Sequence, residues 1–359
     1  MIFWREAASA VLSLLMPRAA QRFIALLVLG VTLSLAIAGC GDWIGSFGPG
    51  TALTLVGYAV PKAAHDAIIP KFVAKWQQEK GQTVLFSQSY GGSGSQTRAS
   101  VDGLDADIAH LALAADTEKL VSAGLVHADW AKKTPNSGTV ARTVAAIVVR
   151  PGNPKNIKTF ADLTRDDVKW VTADPKTSGG ARWNFMALWD YALKTNRNDE
   201  AKAQEFVAKA YKNVAVLAKD AREATDAFAK QGQGDALINY ENEVILAQQK
   251  GENLEYVVPE INISIDTPIS LIDKNVDRNR NREVATAFVQ FLFTPESQAE
   301  FVKLGFRPLD SAAANTKENT AKYPAVKMLS TIQEFGGWSA VQKKFFGDGA
   351  IFDQVARRS

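Results

Sequence analysis

Three stretches set small residues with free backbone N–H groups directly after an apolar run: Gly57-Tyr58-Ala59, Tyr90-Gly91-Gly92-Ser93-Gly94 and Thr177-Ser178-Gly179-Gly180-Ala181-Arg182. Each leads into a segment that reads as a helix. A helix start leaves four N–H groups without intrahelical partners and carries about half a positive charge. Glycine lets an anion come close to those donors, so the chemistry on offer is the holding of sulfate, phosphate or carboxylate. Taken singly, each loop is more simply a tight turn between strand and helix. Nucleotide binding fits less well, because no loop continues into G-K-[ST] and Gly91-Gly92-Ser93-Gly94 lacks the dinucleotide spacing.

Other chemistries find less material. Ser93 and Ser178 are candidate nucleophiles, yet no histidine stands in a G-x-S-x-G context and Ser178 has no evident base, so an enzyme is not expected. His65, His110 and His127 lie far apart, without H-E-x-x-H spacing. A single cysteine excludes an intrachain disulfide framework and any multi-cysteine metal site, and no cofactor or metal is expected. Asp102, Asp105 and Asp107 lack the spacing and the glycine of a calcium loop and read as turn and cap residues.

The elements around the loops alternate in type. Residues 53–57, 84–86, 144–149, 170–173, 236–240 and 264–272 read as strands, several of them β-branched and ended by glycine or proline. Ile68, Phe72 and Trp76 recur at four-residue spacing after Pro61, and Phe185, Leu188, Trp189 and Leu193 repeat the pattern after the third loop. Trp183, Phe185 and Trp189 fit one amphipathic face and read as packing residues rather than a ligand cage. Residues 221–231 read as a helix, and three helices are expected after residue 272, the last near 338–346. This alternation predicts an α/β fold with mostly parallel sheets. The length, 359 residues, is enough for about two domains.

The first 39 residues read as an address. An uncharged apolar run over residues 23–38 follows Arg18 and Arg22 and ends in Ile37-Ala38-Gly39-Cys40. That is the layout of a secretory signal peptide, too short for a membrane span of about 20 residues. Ile-Ala-Gly-Cys resembles the bacterial lipobox, whose cysteine is lipidated and becomes the first residue; a signal anchor with an incidental cysteine is the alternative. Met16 offers a second start, and Gly-rich residues 41–50 read as a tether. With 41 basic and 38 acidic residues, three arginines and one glutamate of which precede Cys40, the exported chain is nearly neutral, and no nucleic-acid partner is expected.

Two longer motifs carry a resemblance. Gln88-Ser89-Tyr90-Gly91-Gly92-Ser93-Gly94-Ser95-Gln96 and Asp174-Pro175-Lys176-Thr177-Ser178-Gly179-Gly180-Ala181-Arg182-Trp183-Asn184 resemble the signatures of periplasmic sulfate-binding proteins of ABC importers. Gly103-Leu104-Asp105-Ala106-Asp107, Gly152-Asn153-Pro154-Lys155 and Glu241-Asn242-Glu243 match in the same order. The resemblance implies a two-lobed periplasmic binding protein fold (type II), with a ligand cleft between lobes and two hinge-crossing strands near 144–150 and 264–272. The lobes are then residues 51–149 with 264–359, and residues 150–263; residues 1–39 are the signal peptide and 40–50 the tether.

The same resemblance implies the ligand contacts. Backbone amides of Ala59, Ser93, Gly179, Gly180 and Ala221 and the hydroxyl of Ser178 hold the sulfate ion. The family's indole N–H falls at Tyr240, so here the sequence departs from the pattern. A phenol both donates and accepts, whereas an indole only donates. The plain expectation is that Tyr240 donates as the indole would; the other is a site relaxed toward a larger or protonated oxyanion. Arg182 is expected to brace its loop. No carboxylate is expected around the anion. The implied partners are the permease and ATPase subunits of an ABC importer, with thiosulfate, molybdate or another oxyanion as alternative ligands. A monomer is expected, in the periplasm and lipid-anchored to the membrane through Cys40.

Overall fold

The computed structural model describes residues 50–356, apart from the side chains of residues 311 and 312. The expected signal peptide, Cys40 and all of the tether but Gly50 lie outside them. The first half runs β1 (Thr51–Tyr58), α1 (Lys62–Lys80), β2 (Val84–Gly91), α2 (Ser93–Val101), β3 (Ile108–His110), α3 (Ala114–Ser122), β4 (Thr139–Thr143), β5 (Ala145–Val149) and β6 (Trp170–Ala173). Then come α4 (Gly179–Thr195), α5 (Glu200–Tyr211), β7 (Val214–Ala218), α6 (Ala221–Ala229), β8 (Ala236–Tyr240), α7 (Glu241–Gln249), β9 (Glu255–Val257), β10 (Ile261–Ile263) and β11 (Ile265–Leu271). The chain continues with α8 (Asp273–Arg278), α9 (Arg282–Phe291), α10 (Pro295–Lys303), β12 (Met328–Ser330) and short helices that include Gly337–Val341 and Ile351–Ala356.

Two five-stranded sheets organise these elements, in the orders β2-β1-β3-β11-β4 and β7-β6-β8-β5-β9. In the first, β1 runs parallel to β2 and β3; in the second, β6 runs parallel to β7 and β8. Each sheet is completed by antiparallel strands, β11 beside β3 and β5 beside β8. The parallel strands explain the unbroken apolar runs, since helices cover both faces. Leu53, Leu55 and Val56 of β1 are fully buried, as are all five residues of β5 but for a trace of Val149.

Helix α1 forms as its periodicity predicts. Ile68, Phe72 and Trp76 are buried, and Lys80 stands in the last turn, where it suits the helix dipole. Gly81 ends the helix at φ +67°, a left-handed cap that glycine adopts without a Cβ penalty. Helix α4 departs from a one-sided pattern: thirteen of its residues are buried, so it is a central rather than a surface helix.

Two details differ from the expected lobe boundaries. β5 hydrogen-bonds into the second sheet, so the chain changes sheets at Val144, between β4 and β5, rather than at 149/150. The other passage runs from β9 through β10, which pairs with β12 in a separate two-stranded sheet, and enters the first sheet after Ser264. The C-terminal segment also does not stay with the first sheet. Phe345, Phe346 and Phe352 pack their rings 5.4 to 6.0 Å from that of Phe185 on α4, covering its aromatic face. More helices follow residue 272 than the three expected, the last being Ile351–Ala356. Asp107 is more than a turn residue. It is buried and accepts from the Thr54 amide at 2.7 Å and the Asn281 side chain at 2.9 Å, tying β1 to the start of α9.

Candidate functional site

The carboxyl ends of the parallel strands meet at one place. Ala59 follows β1, Ser93 opens α2 after β2, Ser178 caps α4 after β6, Ala221 opens α6 after β7, and Tyr240 ends β8. In open α/β sheets such ends are where ligands bind. Ala59, Ser93, Ser178, Gly180, Ala221 and Tyr240 line a single small cavity of about 10 Å³, about the space a single water molecule needs. Gly179 is the one expected position outside its wall. A Cβ there would lie 2.7 Å from Ala112 Cβ and from Leu113 Cδ2, so Gly179 sits where the two lobes touch.

The helix starts keep their leading amides free. Among the described residues, the amides of Ala59, Ser93, Gly179, Gly180 and Ala221 make no hydrogen bond. Ser178 Oγ accepts from the Ala181 amide at 3.3 Å, which caps α4 and leaves its own proton to donate. The Ser93 hydroxyl is already engaged, donating to Asp116 Oδ2 at 2.8 Å and accepting from the Ala112 amide at 3.0 Å. Only its main-chain N–H is available. Gly92 must be glycine here, because a Cβ would meet the Thr177 carbonyl oxygen at 2.6 Å.

Tyr240 is fully buried and its hydroxyl has no hydrogen-bond partner. It stands beside Gly180, whose added Cβ would lie 3.0 Å from the phenol oxygen. Burial, reinforced by Tyr58, Glu243 and Asp116, pushes the phenol well above its ordinary range, so it remains a neutral donor. A buried unpartnered hydroxyl costs stability unless something answers it.

Arg182 does not face the cavity. Its Nε donates to the Pro175 carbonyl at 2.9 Å and its Nη1 to Asp116 Oδ1 at 3.2 Å, in a buried ion pair that joins the two lobes. Further bonds cross the cleft: Gly94 N–H to the Thr177 carbonyl at 3.1 Å, Arg98 Nη1 to the Lys176 carbonyl at 3.4 Å, and Trp183 Nε1–H to the Ala112 carbonyl at 2.7 Å. The lobes are therefore closed on the cavity.

Five wall residues were not among the expected contacts: Tyr58, Val60, Gly91, Gly92 and Asp220. Tyr58 is the buried end of β1, its ring edge-on to those of Tyr240 and His110. Asp220 corrects the expectation of a wall free of carboxylates. It is the N-cap of α6, with Oδ1 accepting from the amides of Arg222 and Glu223, both at 3.0 Å. Its signal in the sequence is an acidic residue directly before the helix start at residue 221. No cluster of three or more metal-ligating side chains occurs among the described residues.

A family model described as bacterial extracellular solute-binding protein matches residues 53–307. The chain belongs to that family. This solute-binding protein is 49% identical to a protein named sulfate-binding protein from Synechococcus elongatus, over 93% of this chain and 96% of the other. It is 36% identical to a thiosulfate-binding protein from Pseudomonas aeruginosa, over 84% of this chain and 90% of that one. Among solved structures, the sulfate-binding protein SubI from Mycobacterium tuberculosis superposes with a TM-score of 0.75 at 35% identity, covering 82% of this chain and 99% of that chain. The two-lobed architecture is thus that of the periplasmic binding proteins.

Proposed function

We propose that this solute-binding protein captures sulfate outside the cytoplasmic membrane and delivers it to the permease and ATPase subunits of an ABC importer. The observation that carries the reading is the convergence of three helix starts, with unengaged amides, on a cavity that also holds the unpartnered Tyr240 hydroxyl. Ala59, Ser93, Gly179, Gly180 and Ala221 supply the amide donors, Ser178 and Tyr240 the hydroxyl donors. Sulfate is fully ionised near neutral pH and has no proton to give, so a set of donors suits it. At about 1.5–3 kcal/mol for each charge-assisted hydrogen bond, about seven offset much of the dianion's desolvation. Relatives named sulfate-binding proteins support the same ligand.

Thiosulfate is the second reading, supported by the relative of that name and by the substitution of a phenol for the expected indole. In either case the protein acts as a carrier and not as an enzyme, and as a monomer. Its two lobes exchange between open and closed about the passages at Val144 and Ser264. Isothermal calorimetry against sulfate, thiosulfate, molybdate and phosphate tests the assignment. Sulfate tighter than the rest is expected; a protein indifferent to sulfate overturns it.

Residues 1–39 act as a signal peptide, Cys40 carries the lipid and residues 41–50 tether the lobes to the membrane. Replacing Cys40→Ser abolishes labelling by a fatty-acid probe if so; unchanged labelling refutes the anchor.

A further inference from the structure

Asp220 is the one carboxylate in the cavity wall. It is 6% exposed, and as the cap of α6 it uses Oδ1 for both amide bonds. Among the described residues, Oδ2 has no hydrogen-bond partner and Asp220 has no ion pair. The neighbouring cations are already matched elsewhere: Lys219 with Glu223 at 3.1 Å, and Arg222 with Glu243 at 2.7 and 2.8 Å. A carboxylate with one oxygen uncommitted therefore stands beside Ala221, the first amide of α6, and shares the wall with the unpartnered Tyr240 hydroxyl. For a cavity otherwise made of donors, this is the single strong acceptor.

We propose that Asp220 is a specificity-determining residue that lets the cavity accept an oxyanion still carrying a proton, hydrogen phosphate above all, and holds back the fully ionised sulfate. The inference rests on the reading of the cavity as an oxyanion site. Sulfate and hydrogen phosphate share charge and shape and differ by one proton. Repulsion from the carboxylate acts on both dianions alike. Only hydrogen phosphate answers it, by donating its P–O–H proton to the free oxygen in a charge-assisted hydrogen bond. The expected consequence is a narrower preference for sulfate over phosphate than a wall of donors alone would give. Tyr240 works in the same direction, since its phenol oxygen is able to accept as well as donate.

The test separates the cap from the charge. Asn and Ser cap a helix about as well as Asp does, so Asp220→Asn and Asp220→Ser keep the start of α6 while removing the carboxylate. Calorimetry with sulfate and with inorganic phosphate at one near-neutral pH gives the ratio of the two affinities in each protein. The ratio is expected to rise at least about tenfold in favour of sulfate in both variants, with circular dichroism unchanged. A ratio that stays as in the parent protein, while sulfate still binds, overturns the role of Asp220 and leaves the oxyanion site standing. Failure of parent and variants alike to bind either anion overturns the oxyanion reading itself, and this inference with it.

Discussion

Gly179 and Arg182 stand three residues apart at the start of α4 and serve different ends. An added methyl at Gly179 would press on Ala112, Leu113 and Ser93, all from the opposite lobe. The clash arises only when the cleft shuts, so Gly179→Ala should fold normally yet lose affinity at least ~100-fold, read by calorimetry beside a melting curve. Arg182 is buried behind the loop, held by Pro175 and Asp116. Arg182→Gln leaves the amides in place but strips a partner from Asp116, which keeps Ser93 and Lys119. The loss should fall mainly on stability, up to about 3 kcal/mol in chemical denaturation, with affinity reduced only about tenfold. If Arg182→Gln abolishes binding while Gly179→Ala leaves it intact, a guanidinium holds the anion and the amide site is wrong.

Helix α1 meets β3 and β11 through two buried histidines. His65 Nε2 lies 3.0 Å from His110 Nδ1, with the Tyr90 hydroxyl 2.7 Å beyond on one side and Thr267 Oγ1 3.2 Å on the other. Burial, partly offset by Asp66, holds His65 down at about 3, and burial with the neighbouring His65 lowers His110 well below its ordinary range. Both are neutral in the fold, whereas an unfolded chain takes up these protons below about pH 6.5. Between that pH and the folded values the unfolded state binds more protons, so stability is full above about pH 6.5 and falls as the pH drops. The slope should approach about 1.4 kcal/mol per pH unit for each histidine. Asp190 and Glu241, raised by burial above the ordinary carboxylate range, act with the opposite sign and offset part of the loss toward the acid end of the span from about pH 6.5 to 5. Urea unfolding across that span should show the loss, and His65→Gln should remove about half of it; stability that is level with pH would refute the account. None of this pairing was legible in the sequence, where the two histidines are far apart and only the register of β1 against β3 and the packing of α1 bring them together. The helix starts were legible, because small residues after an apolar run carry a local signature. So was the α/β alternation. Which sheet would take residues 145–149 was not, since a buried β-branched run fits either one, and the aromatic faces of α4 do not say that the C-terminal segment covers them. Asp220 escaped for a related reason: a cap is a local feature, and its place in the wall depends on two lobes coming together.

At the scale of the whole molecule, affinity and shape are one equilibrium. The amides of Ala59 and Ser93 belong to one lobe and those of Gly179, Gly180 and Ala221 to the other, so an anion is fully held only when the cleft is shut. Polar contacts that then join the lobes directly include Gly94 to Thr177, Arg98 to Lys176, Trp183 to Ala112 and Arg182 to Asp116. Observed affinity is the intrinsic affinity of the closed form multiplied by the fraction of molecules that are closed. Removing a contact that exists only in the closed form should therefore weaken binding without touching the anion. Trp183→Phe keeps the ring that packs edge-on to Trp338 and deletes the 2.7 Å bond to Ala112. It should lower sulfate affinity about fivefold to tenfold, while the radius of gyration of the free protein stays that of the parent. The parent itself should contract when saturated with sulfate, as scattering would record, because the chain passes between the sheets at Val144 and Ser264, and again where the C-terminal segment reaches α4, and can bend there for the sheets to part. Should the free and saturated radii coincide, and Trp183→Phe bind as the parent does, the cavity is a rigid pocket and the cross-cleft bonds serve the fold alone.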